Sequence, residues 1–402
     1  MQIMSGNYYW KEKSKIKNVY PYLTSNLRCD VVIVGGGITG AITAYYLAKE
    51  GADVIVVEKN IIGYGETLAS SAIIEAQMDL DILKLEKFIG SNHSKKIYKM
   101  AYNAIDEIEN INDTIGEDLG FERKDLIYFT NKFMQKSQMQ REYENRKKLG
   151  NELLFLDSHD IIDMQNGILT KGASAVLNPY MFTQSVFEYL NRMPNVRIFE
   201  NTNIEDIISS YDSVKCITNN NFKILSDSLI LTSGMDALRY IGNVPLEVSK
   251  TYTVITKPIK NYDELNLNFT ARDSSDPHHY IRFTNTGRLI FGGEDTRIND
   301  RFYDEKYSNM VANDRYKKLK LSFEKILYGI DKTSIEYASN ASICNTKDSL
   351  PIVDEIPDMP NCFCNIGFGT NGIIHSVIGA NMLKNAIKGF YTKDMNIFKI
   401  TR

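Results

Sequence analysis

The chain has 402 residues, with 47 Lys+Arg against 50 Asp+Glu and a formal net charge of −3. Hydrophobic residues make up 43% and charged residues 24%, a balance that excludes a disordered chain, a collagen-like repeat and a membrane bundle. That length predicts two or three domains, and the near-neutral charge argues against a dedicated nucleic-acid binder. In chain order, residues 1–28 lack the apolar run of a secretory signal. Asp30-Val-Val-Ile-Val34 then reads as a buried parallel strand ending in Gly35-Gly36-Gly37. Ile38–Glu50 reads as a helix stopped by Gly51, and Ala52–Glu58 as a second buried strand. The chain therefore opens with a βαβ unit. Ser91–Leu119 repeats apolar residues at helical spacing. Asn131–Leu149 is charged almost all round, which predicts a solvated helix or arm. Short β-like runs fill Val196–Thr232, and Leu246–Ile259 and Tyr280–Gly292 also read as strands. Gly372–Lys388 reads as a final helix. No Pro/Gly/Ser-rich linker divides the chain, so its domains are expected to interleave.

The five cysteines, Cys29, Cys216, Cys344, Cys362 and Cys364, form no CxxC pair, and the five histidines show no ligand spacing. No metal site is expected. No run of 18 apolar residues exists, so no membrane span is expected either. The expected compartment is the cytoplasm.

The first chemical signal is Gly35-Gly36-Gly37-Ile38-Thr39-Gly40 between a strand and a helix, with Glu58 about 20 residues further on. Glycines let the backbone approach a pyrophosphate, and the helix start offers free N–H groups. The Glu58 carboxylate would take ribose hydroxyls, with Lys59 beside it. An acid there disfavours a 2′-phosphate. The motif alone leaves NAD and FAD open.

Further segments carry a resemblance. Gly63-Tyr-Gly-Glu-Thr67-Leu-Ala69-Ser70-Ser71-Ala72 is a small-residue loop. Thr202-Asn203-Ile204-Glu205 and Leu229-Ile-Leu-Thr-Ser233-Gly234 follow. Thr346-Lys347-Asp348-Ser349-Leu350-Pro351 and Gly367-Phe-Gly-Thr370-Asn371-Gly372-Ile373 come last. In this order they resemble the FAD-dependent superfamily of D-amino acid oxidase, glycine oxidase and sarcosine oxidase. The Tyr9-Trp10 lead-in is similar to a bacterial branch that includes γ-glutamylputrescine oxidoreductases.

The resemblance implies an α/β fold: a Rossmann-like FAD-binding domain interleaved with an antiparallel-sheet α+β substrate domain. The expected division is 25–90, 160–245 and 335–402 for FAD, 91–159 and 246–334 for substrate, and 1–24 as an N-terminal extension. It implies FAD contacts from Gly35, Gly37, Ile38, Thr39, Gly40, Glu58, Lys59, Thr67, Ala69, Ser70 and Ser71. Ile204, Ser233 and Gly234 would follow, and Gly367, Thr370, Asn371, Gly372 and Ile373 would close over the flavin. It implies oxidation of an amine or amino acid to an imine by hydride transfer to flavin N5.

An amino acid needs a carboxylate anchor, and Arg282 is the candidate, with Tyr280 and Tyr252 as neighbours. His278 and His279 would face opposite sides of a strand. Two departures stand out. Ile373-Ile374 replaces a lysine that binds carboxylate in sarcosine-oxidase-type members, and Leu289-Ile290-Phe291 replaces a strand lysine that assists oxygen reduction. The electron acceptor is therefore open between oxygen and another carrier. Some members attach FAD through a cysteine near Cys344, but the local spacing differs, and the expectation is non-covalent FAD. The alternative function is a flavoprotein of another class, or one with structural FAD serving electron transfer or partner binding. A disulfide reductase would show a second GxGxxG and a redox cysteine pair, and neither occurs.

Overall fold

The computed structural model describes residues 4–242, 244–299, 304–330 and 334–402. Two sheets organise them. In the first, Val196–Phe199, Val54–Val57, Leu27–Val34, Lys223–Leu231 and Cys362–Ile366 lie side by side and parallel. Ile352–Glu355 pairs antiparallel at the edge. Val32, Ile33, Ile55, Val56, Leu229 and Ile230 are completely buried. Their runs are apolar throughout because both faces are covered. Helices Ile38–Lys49, Pro179–Asn191 and Gly372–Ala386 pack on one face. The meander Ile204–Ser209, Val214–Thr218 covers the other with Ile204, Val214 and Cys216.

The second sheet has ten strands. Its order is Met4–Gly6, Ile335–Asn345, Glu247–Thr256, Leu289–Arg297, Tyr280–Phe283, Phe269–Asp273, Glu122–Thr130, Asn166–Val176 and Ile73–Glu75, with Leu153–Leu156 branching from Asn166–Val176. Its pairs are antiparallel except Phe269–Asp273 with Glu122–Thr130. Helix Glu305–Ile326 seals one face, packing Leu319 and Phe323 against Tyr252, Val254 and Phe291. The other face turns toward the first sheet.

Sheet membership departs from the expected division at four strands. Ile335–Asn345 pairs along its length with Glu247–Thr256, so part of 335–402 belongs to the large sheet. Ile73–Glu75 and Asn166–Val176 also lie in that sheet. Residues 4–6 are its edge strand rather than a free extension. Strand partners are set by pairing across long sequence distances, which composition does not record. Helix Ser91–Ile115 forms where expected and ends at Gly116, in the left-handed region at φ 71°. Its apolar stripe, Ile97, Ala101, Ile105 and Ile108, shares a core with the helices of the first sheet.

The charged segment 131–149 is not fully solvated. Its helix Lys136–Lys147 buries Glu142 and Arg146. Arg146 sits between the rings of Tyr98 and Tyr128, at 5.4 and 4.9 Å, and its Nε donates to Glu142 at 2.7 Å. Glu142 in turn accepts the N–H groups of Ile82 and Leu83. A buried charge is tolerable only when paired this completely.

Candidate active site

A cavity of about 360 Å³ lies between the two sheets. Its first end is built from backbone. Gly35 has φ 118°, a conformation that favours glycine, and a Cβ there would sit 2.9 Å from Ser233 Cα. At Gly40 a Cβ would come within 1.9 Å of the Gly35 carbonyl oxygen. The strand-to-helix turn therefore closes only on glycines. Glu58 Oε2 accepts the Gly36 N–H at 2.8 Å and Oε1 the Asn60 N–H at 2.8 Å. These bonds aim the carboxylate along the cavity wall, and burial raises its pKa. Thr67 Oγ1 accepts the Ile38 N–H at the helix start, and Thr39 bonds Ser376 at 2.7 Å. The first and last helices are thus fastened together beside the cavity. Lys59 pairs with Asp236.

The second end is built from side chains. Glu75, Thr251, His278 and Tyr280 line it. Tyr280 lies flat across the neighbouring strand, where a Cβ on Gly292 would come within 2.0 Å of its ring. Its hydroxyl meets Thr253 at 2.8 Å. Behind this wall Arg272 is buried. It donates to Glu75 Oε1 at 2.8 Å, to Thr370 Oγ1 at 3.1 Å and to Asp79. Burial opposes the Asp79 charge, but Arg272 outweighs it and holds the carboxyl below its usual range. Asp79 also accepts the Thr370 N–H at 3.1 Å, and Asn371 Nδ2 donates to the Gln77 carbonyl at 3.0 Å. Burial, with Arg272 beside it, lowers the His278 pKa to about 3, so the ring is neutral at neutral pH.

The family model for FAD dependent oxidoreductases, DAO, matches residues 30–386. The chain belongs to this family. It is 25% identical over 390 residues to YhfW of Bacillus subtilis (strain 168), a protein named for a Rieske 2Fe-2S iron-sulfur centre, covering 94% of this chain and 72% of that one. It is 23% identical over 287 residues to gamma-glutamylputrescine oxidoreductase of Escherichia coli (strain K12), covering 67% and 66%. Glycine oxidase from Geobacillus kaustophilus superposes with a TM-score of 0.76 at 18% identity, over 94% of this chain and 99% of that one. The fold is the expected α/β architecture, and the protein is an FAD-dependent oxidoreductase.

The residues present fit FAD. The glycine turn leaves a backbone cradle that a single Cβ would fill. Ser233 Oγ, on the cavity wall, is a buried hydroxyl with no hydrogen-bond partner among the described residues. Glu58 keeps lone pairs for a ribose after its two backbone bonds. Every FAD-contact residue expected from sequence lines the cavity except Gly40, which lies beneath the turn.

The expected substrate residues separate. Tyr280 lines the cavity. Tyr252 lies two strands away, beyond Leu289–Arg297, on the opposite face, packed at 6.0 Å from Tyr316 under the long helix. Arg282 is not on the cavity wall. Its Nη1 donates to the carbonyls of Ser71 and Ala72 at 2.8 and 2.9 Å, and its guanidinium stacks 5.1 Å from Trp10. Trp10 Nε1 donates to the Ser70 carbonyl at 2.7 Å. Arg282 is a fastener of the small-residue loop, and an arginine in a strand sequence does not reveal which partner it finds. Among the histidines, His278 faces the cavity, whereas His279 bonds Asp273 at 2.8 Å. Cys344 also lines the cavity, and burial pushes its thiol up to about 12, which disfavours the nucleophilic thiolate. Glu75, Asp79 and Arg272 were missed. No motif links them, because Arg272 is nearly two hundred residues from its acids.

Proposed function

We propose that this enzyme oxidises the C–N bond of an amine or amino acid to an imine, with non-covalent FAD held by the residues above. One observation carries the reading: the glycine cradle and the polar wall of the large sheet open into one cavity. Bound FAD would supply the hydride acceptor, at N5 of its ring. The protein's part is to position and exclude. Gly35 to Gly40 and Glu58 would hold the nucleotide, and the Thr370–Gly372 turn would place the start of the last helix, with its positive dipole end, over the ring. Tyr280, flat over Gly292, and neutral His278 would shape the pocket for the carbon that loses hydride. Electrons leave to oxygen or to another carrier. The likeness to a protein named for an iron–sulfur centre favours a carrier.

The test is anaerobic. A yellow protein should lose its flavin absorbance near 450 nm (roughly, for an oxidised flavin) with some member of a panel of amines, N-methyl amines and amino acids. Retention of full colour with every compound would favour a structural flavin instead.

A further inference from the structure

The wall of the large sheet holds a buried acid whose outer oxygen meets no side chain or backbone group among the described residues. Arg272 is one cation held by two carboxylates, Glu75 and Asp79. His278 beside them is neutral. Glu75 is 5% exposed and lines the cavity, its Oε2 has no hydrogen-bond partner among the described residues, and burial raises its carboxyl above the usual range although Arg272 acts to lower it. Thr251 Oγ1, on the same wall, also has none. Buried acceptors left unpaired are costly, so their retention points to a donor that arrives from outside. Among the described residues lining the cavity, the lysine and arginine are Lys59 and Arg239, both at the nucleotide end. Lys59 is paired with Asp236, and Arg239 lies 3.9 Å from Glu205. Arg282, the expected carboxylate anchor, lies off the cavity wall with its Nη1 on the Ser71 and Ala72 carbonyls. The substrate end therefore offers an unmet carboxyl oxygen and, among the described residues lining it, no lysine or arginine.

We propose that Glu75 Oε2 receives the ammonium of the substrate, with Thr251 as a second acceptor, and that the enzyme selects amines lacking a carboxylate on the carbon that bears the nitrogen. This rests on the amine-oxidation reading above and narrows it. An ammonium placed there would meet the Glu75 oxygen that Arg272 leaves unpaired and would favour the ionised carboxylate that burial alone opposes. An α-carboxylate would be desolvated beside the Glu75 and Asp79 carboxyls with no lysine or arginine on that stretch of wall to meet it, so the same residues that attract the amine disfavour the amino acid. Before hydride can leave, the nitrogen must shed a proton. Its N–H bond breaks, an O–H bond forms on Glu75, and no electron moves in that step.

The test uses the FAD-loaded protein and two ligands of matched shape, tert-butylamine and 2-aminoisobutyrate. Neither has a hydrogen on the carbon bearing nitrogen, so neither can be oxidised, and they differ by a methyl against a carboxylate. Binding is read from the flavin difference spectrum and by calorimetry. The amine should bind at least about tenfold more tightly than the amino acid. Glu75→Gln should weaken the amine about tenfold while flavin content is unchanged, and Thr251→Val should weaken it about threefold. Equal or tighter binding of 2-aminoisobutyrate by the wild-type protein, which needs no variant, would overturn the proposal. So would unchanged amine affinity in a flavin-loaded Glu75→Gln protein. If tert-butylamine binds as stated but no oxidisable amine bleaches the flavin, the cation site stands and the oxidation reading fails.

Discussion

The two ends of the cavity are made by opposite means. At the nucleotide end the backbone itself forms the surface, and glycines are present because a single Cβ would collide with main-chain atoms. At the sheet end the surface is side chains delivered by strands far apart in sequence, positioned by one buried arginine and one glycine opposite a tyrosine. A backbone site tolerates almost no change but forgives its surroundings. A side-chain site can be retuned residue by residue, provided its supports stay in place. One fold can thus keep its cofactor while its substrate varies.

That contrast can be broken in four graded ways. The largest effect is expected from Gly40→Val, whose side chain must displace the Gly35 carbonyl. The protein should purify without flavin, with stability lowered by about 3 kcal/mol or more. Retained colour would show that the cradle is softer than its geometry. Next is Gly292→Ala. Its methyl occupies the space of the Tyr280 ring, 2.0 Å away, and forces the ring out of place. Turnover should fall up to about 10²-fold while flavin content is preserved. Flavin loss in this variant would mean that the two ends are not separable.

Arg282→Met comes third. It leaves two buried carbonyls without donors and Trp10 without its cation. Thermal and urea unfolding should show a loss of about 2–4 kcal/mol. KM of the flavin-loaded variant should stay near the wild-type value, whereas a carboxylate anchor would raise it by orders of magnitude.

The smallest effect concerns Glu66 at the nucleotide end. Burial, with Asp236 adding, pushes its carboxyl from 4.5 to about 7. Between those values the folded protein holds a proton that the unfolded chain releases. Stability contributed by the protonated form is therefore complete below pH 4.5 and is lost as pH rises through about 7. The loss should be about 1–2 kcal/mol, since the cavity leaves Glu66 partly wet. Glu66→Gln should flatten this slope in urea midpoints measured from acid to neutral pH.

The same contrast governs what the sequence made legible. Apolar runs next to glycines located the first two parallel strands, because a strand buried on both faces must be apolar throughout. The turn at Gly35–Gly40 was readable because its chemistry is local. The Thr346–Pro351 segment was recognisable as a local pattern, and its Ser349 adopts φ 56°, a left-handed conformation that glycine meets more easily. Arg282 and Arg272 are indistinguishable as sequence: each is an arginine in a short β-run. One lies over a loop and Trp10, and the other meets two acids near residues 75–79. Arg146 was unreadable for the same reason, since its aromatic neighbours belong to two other elements. Tyr252 is separated from Tyr280 by the strand Leu289–Arg297 and faces the long helix, a placement decided by strand pairing that the local sequence does not record.

One feature of the first sheet reaches into how the molecule is made. Lys223–Leu231 sits between Leu27–Val34 and Cys362–Ile366, so strands from both ends of the chain meet at its centre. On the ribosome the first βαβ unit can pair early. The strand at 223–231 must then wait with one bare edge while the large sheet is synthesised. Such an edge is a template for wrong partners, and pairing that spans so much chain is intrinsically slow. The growing protein should therefore depend on chaperones until residues 362–366 emerge, and nascent chains truncated before them should aggregate rather than accumulate as a folded half.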